Sequence, residues 1–315
     1  MREFIKKIYL GTQWGKKLIT PLLFLRSTLM PEKTLLKSRF KRILGYPLNL
    51  KNPKTFNEKI NWLKINERTS LHTICSDKYA VREHVQKLIG SEYLIPLLLE
   101  TKKPSDIVPD NLPDFPFIIK TNNDSGGGII VWDKKKMDWA KIRRDLKNRL
   151  NTNYSIFGKG EWQYENIKPR IIVEKLMIDE NNQIPSDYKL HYFNGKLIFT
   201  QVDIDRHNAH KRNLYDPNWK LLPCKWAHEN GKTIEKPRKY EELKFISEKL
   251  AQNFTYVRID VYVIKNNIYF GEITFHSGSG NERFMPQEWD RKLGDMLTLP
   301  FEQKNKQHTD IFVIS

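Results

Sequence analysis

Apolar residues recur along this chain first at helical spacing and then, past its first third, mostly in short runs. Leu18, Leu22, Leu25 and Leu29 share one helical stripe, and Thr20-Pro21 reads as an N-cap followed by proline at the first helical position. Pro31 opens a second helix with Leu36, Phe40 and Leu44 on one stripe, and Gly45 ends it. Thr55-Phe56-Asn57-Glu58 has the form of a capping box ahead of Ile60, Trp62 and Leu63. A further helix runs from about Asp77 to Ile89 and stops at Gly90. After a connection carrying Pro104, Pro109, Pro113 and Pro116, the texture changes to strands: Phe117 to Lys120, Ile129 to Trp132, and Ile171 to Glu174. Tyr188–Phe193 and Lys196–Val202 flank Asn194-Gly195, a strong hairpin-turn signal, and Val257–Ile264 and Ile268–Thr274 flank Lys265-Asn266-Asn267. Helices are expected over 138–150 and near 239–252. No repeat or low-complexity tract interrupts this order, and the mixture is α+β with antiparallel hairpins rather than regular βαβ alternation.

Composition adds size and charge to this outline. The 315 residues are 39% hydrophobic and 12% aromatic, enough for a sizeable core, which excludes wholesale disorder. The net charge is +17, and residues 1–54, with 13 Lys/Arg against 2 Asp/Glu, hold +11 of it. A body that is basic all over, such as a nucleic-acid chaperone, is therefore not expected. The basic segment also lacks interleaved stacking aromatics beyond Phe4, Tyr9, Trp14, Phe24 and Phe40, so nucleic acid is not the expected partner. The apolar stretch Leu18–Met30 is broken by Pro21 and Arg26 and is too short to span a bilayer. Cys75 and Cys224 form no Cys/His cluster and read as reduced thiols of a cytoplasmic protein.

The candidate chemistry begins in the last hairpin. If Ile264 faces Ile268 across a three-residue loop, Asp260 sits opposite Glu272 and Arg258 opposite Thr274. Two carboxylates on one sheet face repel unless a cation lies between them or one is protonated. Hard oxygen donors suit magnesium shared with phosphates, and a neighbouring arginine can stabilise charge on a transferring phosphoryl group. A salt-bridged pair on an exposed strand face is the bland alternative. In the 117–132 hairpin, Lys120 ends an apolar strand and Ser125-Gly126-Gly127-Gly128 follows, where amides can approach phosphate oxygens closely. A simple turn is the alternative there. Glu174 and Asp187 stand at strand ends, and Lys78 stands at a helix start, where the macrodipole disfavours a lysine.

In this order, Asp77-Lys78, Lys120 with its glycine loop, Glu174, Asp187, Arg258-Ile259-Asp260 and Glu272 resemble the ATP-grasp superfamily over roughly residues 72 to 285. The resemblance implies two α+β subdomains gripping ATP, preceded here by a basic helical N-terminal segment. It implies that Lys78 and Lys120 contact ATP phosphates, that Ser125 to Gly128 form the phosphate flap, and that Glu174 with the backbone near Lys175 and Leu176 holds adenine. Asp187 would hold the ribose, with Lys189 beside it; Asp260 and Glu272 would carry Mg2+, and Arg258 would stabilise the acyl-phosphate chemistry. The family usually has Asn or Asp where this chain has Thr274, a weaker ligand, which puts a second metal in doubt.

A narrower likeness lies in Asn52–Ile60, Ser76-Asp77-Lys78, Ser186–Lys189, Phe193-Asn194-Gly195 and Glu272–Gly280. These resemble the TupA-like branch, associated with teichuronopeptide and capsular polysaccharide synthesis. What this implies is ATP-dependent amide formation between an amino acid amine and a uronic-acid carboxylate of a surface glycan. Arg206, Lys211 and Arg212, and after the magnesium strand His276, Asn281 and Arg283, are the acceptor-pocket candidates. His207 and His210 read as solvated rather than as a metal site. A sugar kinase, or a non-enzymatic basic module binding anionic polymer or membrane, are the competing readings.

The expected segments are 1–54 basic and helical, 55–115 an N-terminal lobe, 116–185 the lid with the flap, 186–300 the part with the magnesium site, and 301–315 a tail. Residues 1–45 would dock peripherally on the inner membrane face or on a lipid-linked glycan.

Overall fold

The computed structural model describes residues 30–124, 127–151, 160–180, 182–204 and 210–302. The helix expected through Leu18–Leu29 and most of the 301–315 tail lie outside the described residues.

Helix α1 (Glu32–Leu44) begins after Pro31 and ends at Gly45, whose φ of 91° is the left-handed cap that its amide needs to reach Lys41 O. Its buried residues Leu36 and Phe40 pack with Leu48. Two polar clamps fix it to the body: Arg68 Nη2 on Glu32 at 2.6 Å, and Arg283 Nη2 and Nε on the Ile43 carbonyl at 2.6 and 2.9 Å. Arg283, expected in the acceptor pocket, is instead exposed and satisfies a carbonyl in the last turn of α1, where a cation is favoured by the macrodipole.

The smaller sheet has strand order β1-β4-β2-β3, from β1 (Leu97–Thr101), β2 (Phe117–Thr121), β3 (Ile129–Val131) and β4 (Ile171–Lys175). Helices α2 (Phe56–Asn66), α3 (Ser70–Ser76) and α4 (Val81–Ile89) precede it, and α5 (Trp139–Leu150) covers one of its faces through Ile142 and Leu146. Strand β1 falls in the stretch that reads as a connection: it is an edge strand, half-buried through Glu100, with no alternation to reveal it. Because it pairs with β4, this sheet draws a strand from before residue 116.

The larger sheet has order β10-β9-β5-β6-β7, with β5 (Asp187–Phe193), β6 (Lys196–Ile204), β7 (Lys211–Tyr215), β9 (Tyr256–Ile264) and β10 (Asn267–Thr274). Asn194 and Gly195, at φ 49° and 78°, make the two-residue turn between β5 and β6. Lys265 and Asn266, at φ 49° and 65°, do the same between β9 and β10. That turn is one residue shorter than expected, so Asn267 pairs with Ile264 and Ile268 with Val263. A bulge at Gly271 then restores the offset, and Glu272 faces Asp260 and Thr274 faces Arg258 as expected. A side chain at Gly271 would lie 3.0 Å from the Asp260 carbonyl, so the bulge is closed against the neighbouring strand.

One face of the larger sheet is apolar: Leu190, Tyr192, Val257, Ile259, Val261 and Ile273 pack on α4 and on α6 (Tyr240–Ala251). The opposite face is divided. At one end Phe193, Phe199, Leu214 and Tyr256 lie under α2, the ribbon β8 (Lys225–Trp226)/β11 (Phe284–Met285), and α7 (Glu288–Met296). The capping box forms as expected, with Glu58 N donating to Thr55 Oγ1 at 3.2 Å and Thr55 N to Glu58 Oε2 at 3.1 Å. At the other end the face is charged.

Candidate active site

Five strands bring the charged end together. Pairing places Lys189 between Asp260 and Gln201, and Asp203 beside Arg212. With period-2 alternation, Arg258, Asp260, Glu272, Thr274, Asp187, Lys189, Gln201, Asp203 and Arg212 therefore share one face. The Arg258 guanidinium is forked on Asp260 (Nε–Oδ1 2.6 Å, Nη2–Oδ2 2.7 Å) and reaches Glu272 Oε1 at 2.7 Å. Thr274 Oγ1 donates to the same Glu272 oxygen at 2.9 Å, so its hydroxyl steadies Glu272. Lys189, 3% exposed, is bonded to Asp187 and lies 3.6 Å from both Asp203 and Asp260.

These contacts set the protonation. Burial would raise the Glu272 carboxyl, but Arg258, Lys78 and Lys189 outweigh it and hold it at about 2. Glu272 keeps half its surface open at the cleft mouth, so solvent screens part of that pull. Asp260 is buried more deeply and is drawn upward by that burial, against Arg258 and Lys189. Arg258 is raised: burial lowers it, and the two carboxylates more than offset this.

Residues ahead of the larger sheet complete the cluster. Asp77 Oδ1 accepts from the amides of Tyr79 and Ala80 at 2.8 and 3.2 Å and from Asn122 Nδ2 at 2.8 Å. This ties the turn carrying Lys78 to the end of β2, and the helix begins at Val81 rather than at Asp77. Lys78 Nζ bonds the Asp124 carbonyl and lies 3.5 Å from its carboxylate. Tyr164 stands among Glu161, Glu272, Arg258 and Asp124, and burial chiefly raises its hydroxyl.

The second cluster lies on the smaller sheet. Glu174 accepts from Lys120 Nζ at 2.9 Å and from Arg82 Nη1 at 3.0 Å. Lys175 and Leu176 donate their amides to Pro96 O and Pro116 O, each at 3.1 Å. In an antiparallel pair the opposite N–H normally returns such a bond, and proline has none. Both carbonyls are thus left without their sheet donor, so this segment offers acceptors rather than the donors its amides would have been. Gly128 is required by packing, since a Cβ there would lie 2.5 Å from Ile118 Cγ1, whereas Gly127 stands in open space. Ser125 and Gly126 lie outside the described residues.

The acceptor candidates divide. Arg206 lies outside the described residues; Lys211 is half-buried on β7; Arg212 is buried, with Nε on Asp203 at 2.8 Å and Nη1 on Glu282 at 3.0 Å. His276 and Asn281 are each 5% exposed and turn inward on a tight loop packed on α2, where a Cβ at Gly280 would meet Asn61 Nδ2 at 2.6 Å. Burial holds His276 neutral, so the open-pocket expectation for these two side chains is corrected. His210 is likewise not simply solvated: its ring lies tilted against His228 with centroids 3.7 Å apart. Asp203 and Tyr164 were not anticipated. Asp203 was legible by alternation from Lys189 across a recognised hairpin; Tyr164, on a short turn, had no periodic signal.

The magnesium ligands fit the donor chemistry in part. Among the described residues no group of three or more His, Cys, Asp and Glu is arranged for a metal. Two opposed carboxylates suit an ion that completes its octahedron with phosphate oxygens and water.

An α+β body with two antiparallel sheets and this strand-borne Asp/Glu pair has the architecture of an ATP-grasp protein. The sequence model described as TupA-like ATPgrasp matches residues 58–298, and the chain belongs to that family. Among solved structures, it is similar to D-alanine–D-alanine ligase from Bacillus anthracis, at 21% identity over 64% of this chain and 57% of that one, with a TM-score of 0.39. It is also similar to L-amino acid ligase from Bacillus licheniformis, at 14% identity over 79% and 56%, with a TM-score of 0.43. For D-alanine–D-alanine ligase from Helicobacter pylori the identity is 16% over 71% and 63%, with a TM-score of 0.38. The chain thus spans less than two thirds of the length of each of these structures. No curated protein matches.

Proposed function

We propose that this protein is an ATP-dependent carboxylate–amine ligase that makes an amide through an acyl phosphate. The observation that carries the reading is the facing Asp260 and Glu272 with Arg258 forked between them, beside Lys189 and Lys78. Asp260 and Glu272, steadied by Thr274, would hold Mg2+, which when bound neutralises charge on the phosphates. Lys78 and Lys120 would bind the phosphate oxygens. The carbonyls of Lys175 and Leu176 with Glu174 would receive an amino group of the base, and Asp187 the ribose. Arg258, once released from the carboxylates, would meet the transferring phosphoryl group.

Family membership favours an amino acid and a uronic acid of a bacterial surface polysaccharide as the two partners. With ATP, Mg2+, a uronic acid and hydroxylamine, the expected products are ADP, phosphate and a hydroxamate. AMP with pyrophosphate, or a stable phosphosugar without hydroxamate, rejects the acyl phosphate in favour of adenylation or a sugar kinase.

We further propose that the N-terminal segment docks peripherally on anionic membrane. Lys33, Lys37 and Lys41 are exposed at four-residue spacing on α1. No helix among the described residues is long and apolar enough to cross a membrane. Replacing the three lysines by glutamate is expected to lower co-sedimentation with phosphatidylglycerol vesicles by more than tenfold, with ATP-induced thermal stabilisation unchanged. Undiminished sedimentation rejects the docking role.

A further inference from the structure

Beyond Lys189, the charged face continues into a cluster that ATP and Mg2+ leave unused. Asp203, 3% exposed, accepts Gln201 Nε2 on both oxygens at 3.0 Å and Arg212 Nε at 2.8 Å. Arg212 and Lys189 outweigh the burial and keep Asp203 well below the usual carboxylate range. His210 Nε2 lies 3.2 Å from Asp203 Oδ1 without a hydrogen bond of its own, so the imidazole rests against an ionised carboxylate that is not aligned on it. The ribbon β8/β11 delivers the rest. Ala227 N donates to Arg283 O at 2.9 Å, which sets His228 and Glu282 beside β7. His228 lies tilted against His210 and is lowered by burial, Arg212 and His210, so this ring is disfavoured as a cation. Glu282 anchors Arg212 from the cleft side with its side chain 29% exposed. Among the described residues, Asp203 and His228 meet His210, and Arg212 and Glu282 act on His228 beside it.

We propose that this cluster is the acceptor-amine site and that His210 is the base that deprotonates the amine; the proposal rests on the ligase reading above. An amino acid enters as an ammonium, which cannot attack. The carboxylates of Asp203 and Glu282 attract that cation. One N–H proton passes to the His210 imidazole, and the Asp203 carboxylate stabilises the imidazolium so formed. The freed nitrogen lone pair forms the C–N bond at the acyl-phosphate carbonyl carbon. The C–O bond to phosphorus breaks, phosphate leaves with that electron pair, and the second nitrogen proton goes to the departing phosphate. Asp203 touches Lys189 and Lys189 touches Asp260, so the base stands two side chains from the phosphoryl site.

His210→Gln keeps a donor toward Asp203 and removes the base. The test uses hydroxylamine, whose nitrogen is already unprotonated at neutral pH, beside a mixture of L-amino acids, with a panel of uronic acids as carboxylates. The expected result is hydroxamate formation within about twofold of wild type and amide formation reduced about 100-fold or more, with the acidic limb of the amine-dependent pH profile abolished. An unchanged urea midpoint and ATP-induced thermal shift would show that the variant is folded and binds nucleotide. Amide formation at the wild-type rate, or an equal fall in hydroxamate and amide, overturns the assignment of His210 while leaving the ligase reading in place. Failure of the wild-type protein to form any hydroxamate overturns the ligase reading and this proposal with it.

Discussion

Arg258→Ala is expected to abolish turnover, by about 10³-fold or more, and to destabilise the protein by about 3–5 kcal/mol. Two losses coincide at this residue. The first is catalytic: on the proposed reading the guanidinium meets the transferring phosphoryl group. The second is structural: Asp260, only 3% exposed, would keep Lys189 alone, at 3.6 Å, while Glu272 still faced it across the strands. Removing one partner of a buried pair leaves an uncompensated charge, which costs far more than the intact pair contributes. A cation can fill the gap, so millimolar Mg2+ should recover part of the lost unfolding free energy in Arg258→Ala and add much less to wild type, whose carboxylates already have a guanidinium between them. Arg258→Lys keeps the charge but not the fork, and should fall between the two. Urea unfolding with and without Mg2+, together with ADP release, reads all three quantities. Wild-type turnover by Arg258→Ala would remove this residue from the chemistry.

Phe56→Ala is the second large effect, expected at about 3–5 kcal/mol. Phe56 is fully buried and meets Phe193 stacked at 5.4 Å, with Tyr256, Trp226 and Phe284 edge-on at 5.3, 5.9 and 6.1 Å. The surroundings are rigid, because α7 approaches so closely that a Cβ on Gly294 would lie 2.1 Å from Lys54 O. The ring also bears on the site. Tyr256 OH is 2.9 Å from His191 Nδ1, His191 Nε2 is 3.3 Å from Gln201 Oε1, and Gln201 Nε2 in turn donates to Asp203. Phe56→Leu, which keeps most of the volume, should lose less than half as much. A shift in urea midpoint at constant slope measures both; a loss under 1 kcal/mol for the alanine variant would show that the cluster repacks.

Much of the fold was legible because it is local. The Thr55 capping box, the Gly45 stop and the Asn194-Gly195 turn are each fixed by a few neighbouring residues, and each appears where the sequence places it. The facing of Asp260 and Glu272 was legible too, although by a different route: a shorter turn and a bulge instead of one longer loop. What escaped depends on distant partners. Strand β1 gives no alternation because it sits on an edge, and its identity comes from β4, more than seventy residues later. Arg283 and His276 stand eleven and four residues after Glu272, yet one caps α1 and the other is buried. Nothing in a run of residues states which way a loop turns when a helix from the other end of the chain closes over it. The two thiols were read correctly as free; both are buried, and burial pushes them up to about 12.

The bulge at Gly271 has a consequence for divergence among related chains. The carboxylates meet because the strand pairing sets them opposite each other across the bulge, not because a fixed number of residues separates them. A chain that lengthened the Lys265-Asn266 turn by one and deleted Gly271 would present the same pair to the same side of the sheet. A chain that made only one of these changes, with every other pairing kept, would also hold its glutamate opposite the aspartate, at an interval one residue longer or shorter. Single insertions or deletions at the turn or the bulge should therefore be tolerated, and a relative is better sought by which residues face each other than by a fixed interval between them.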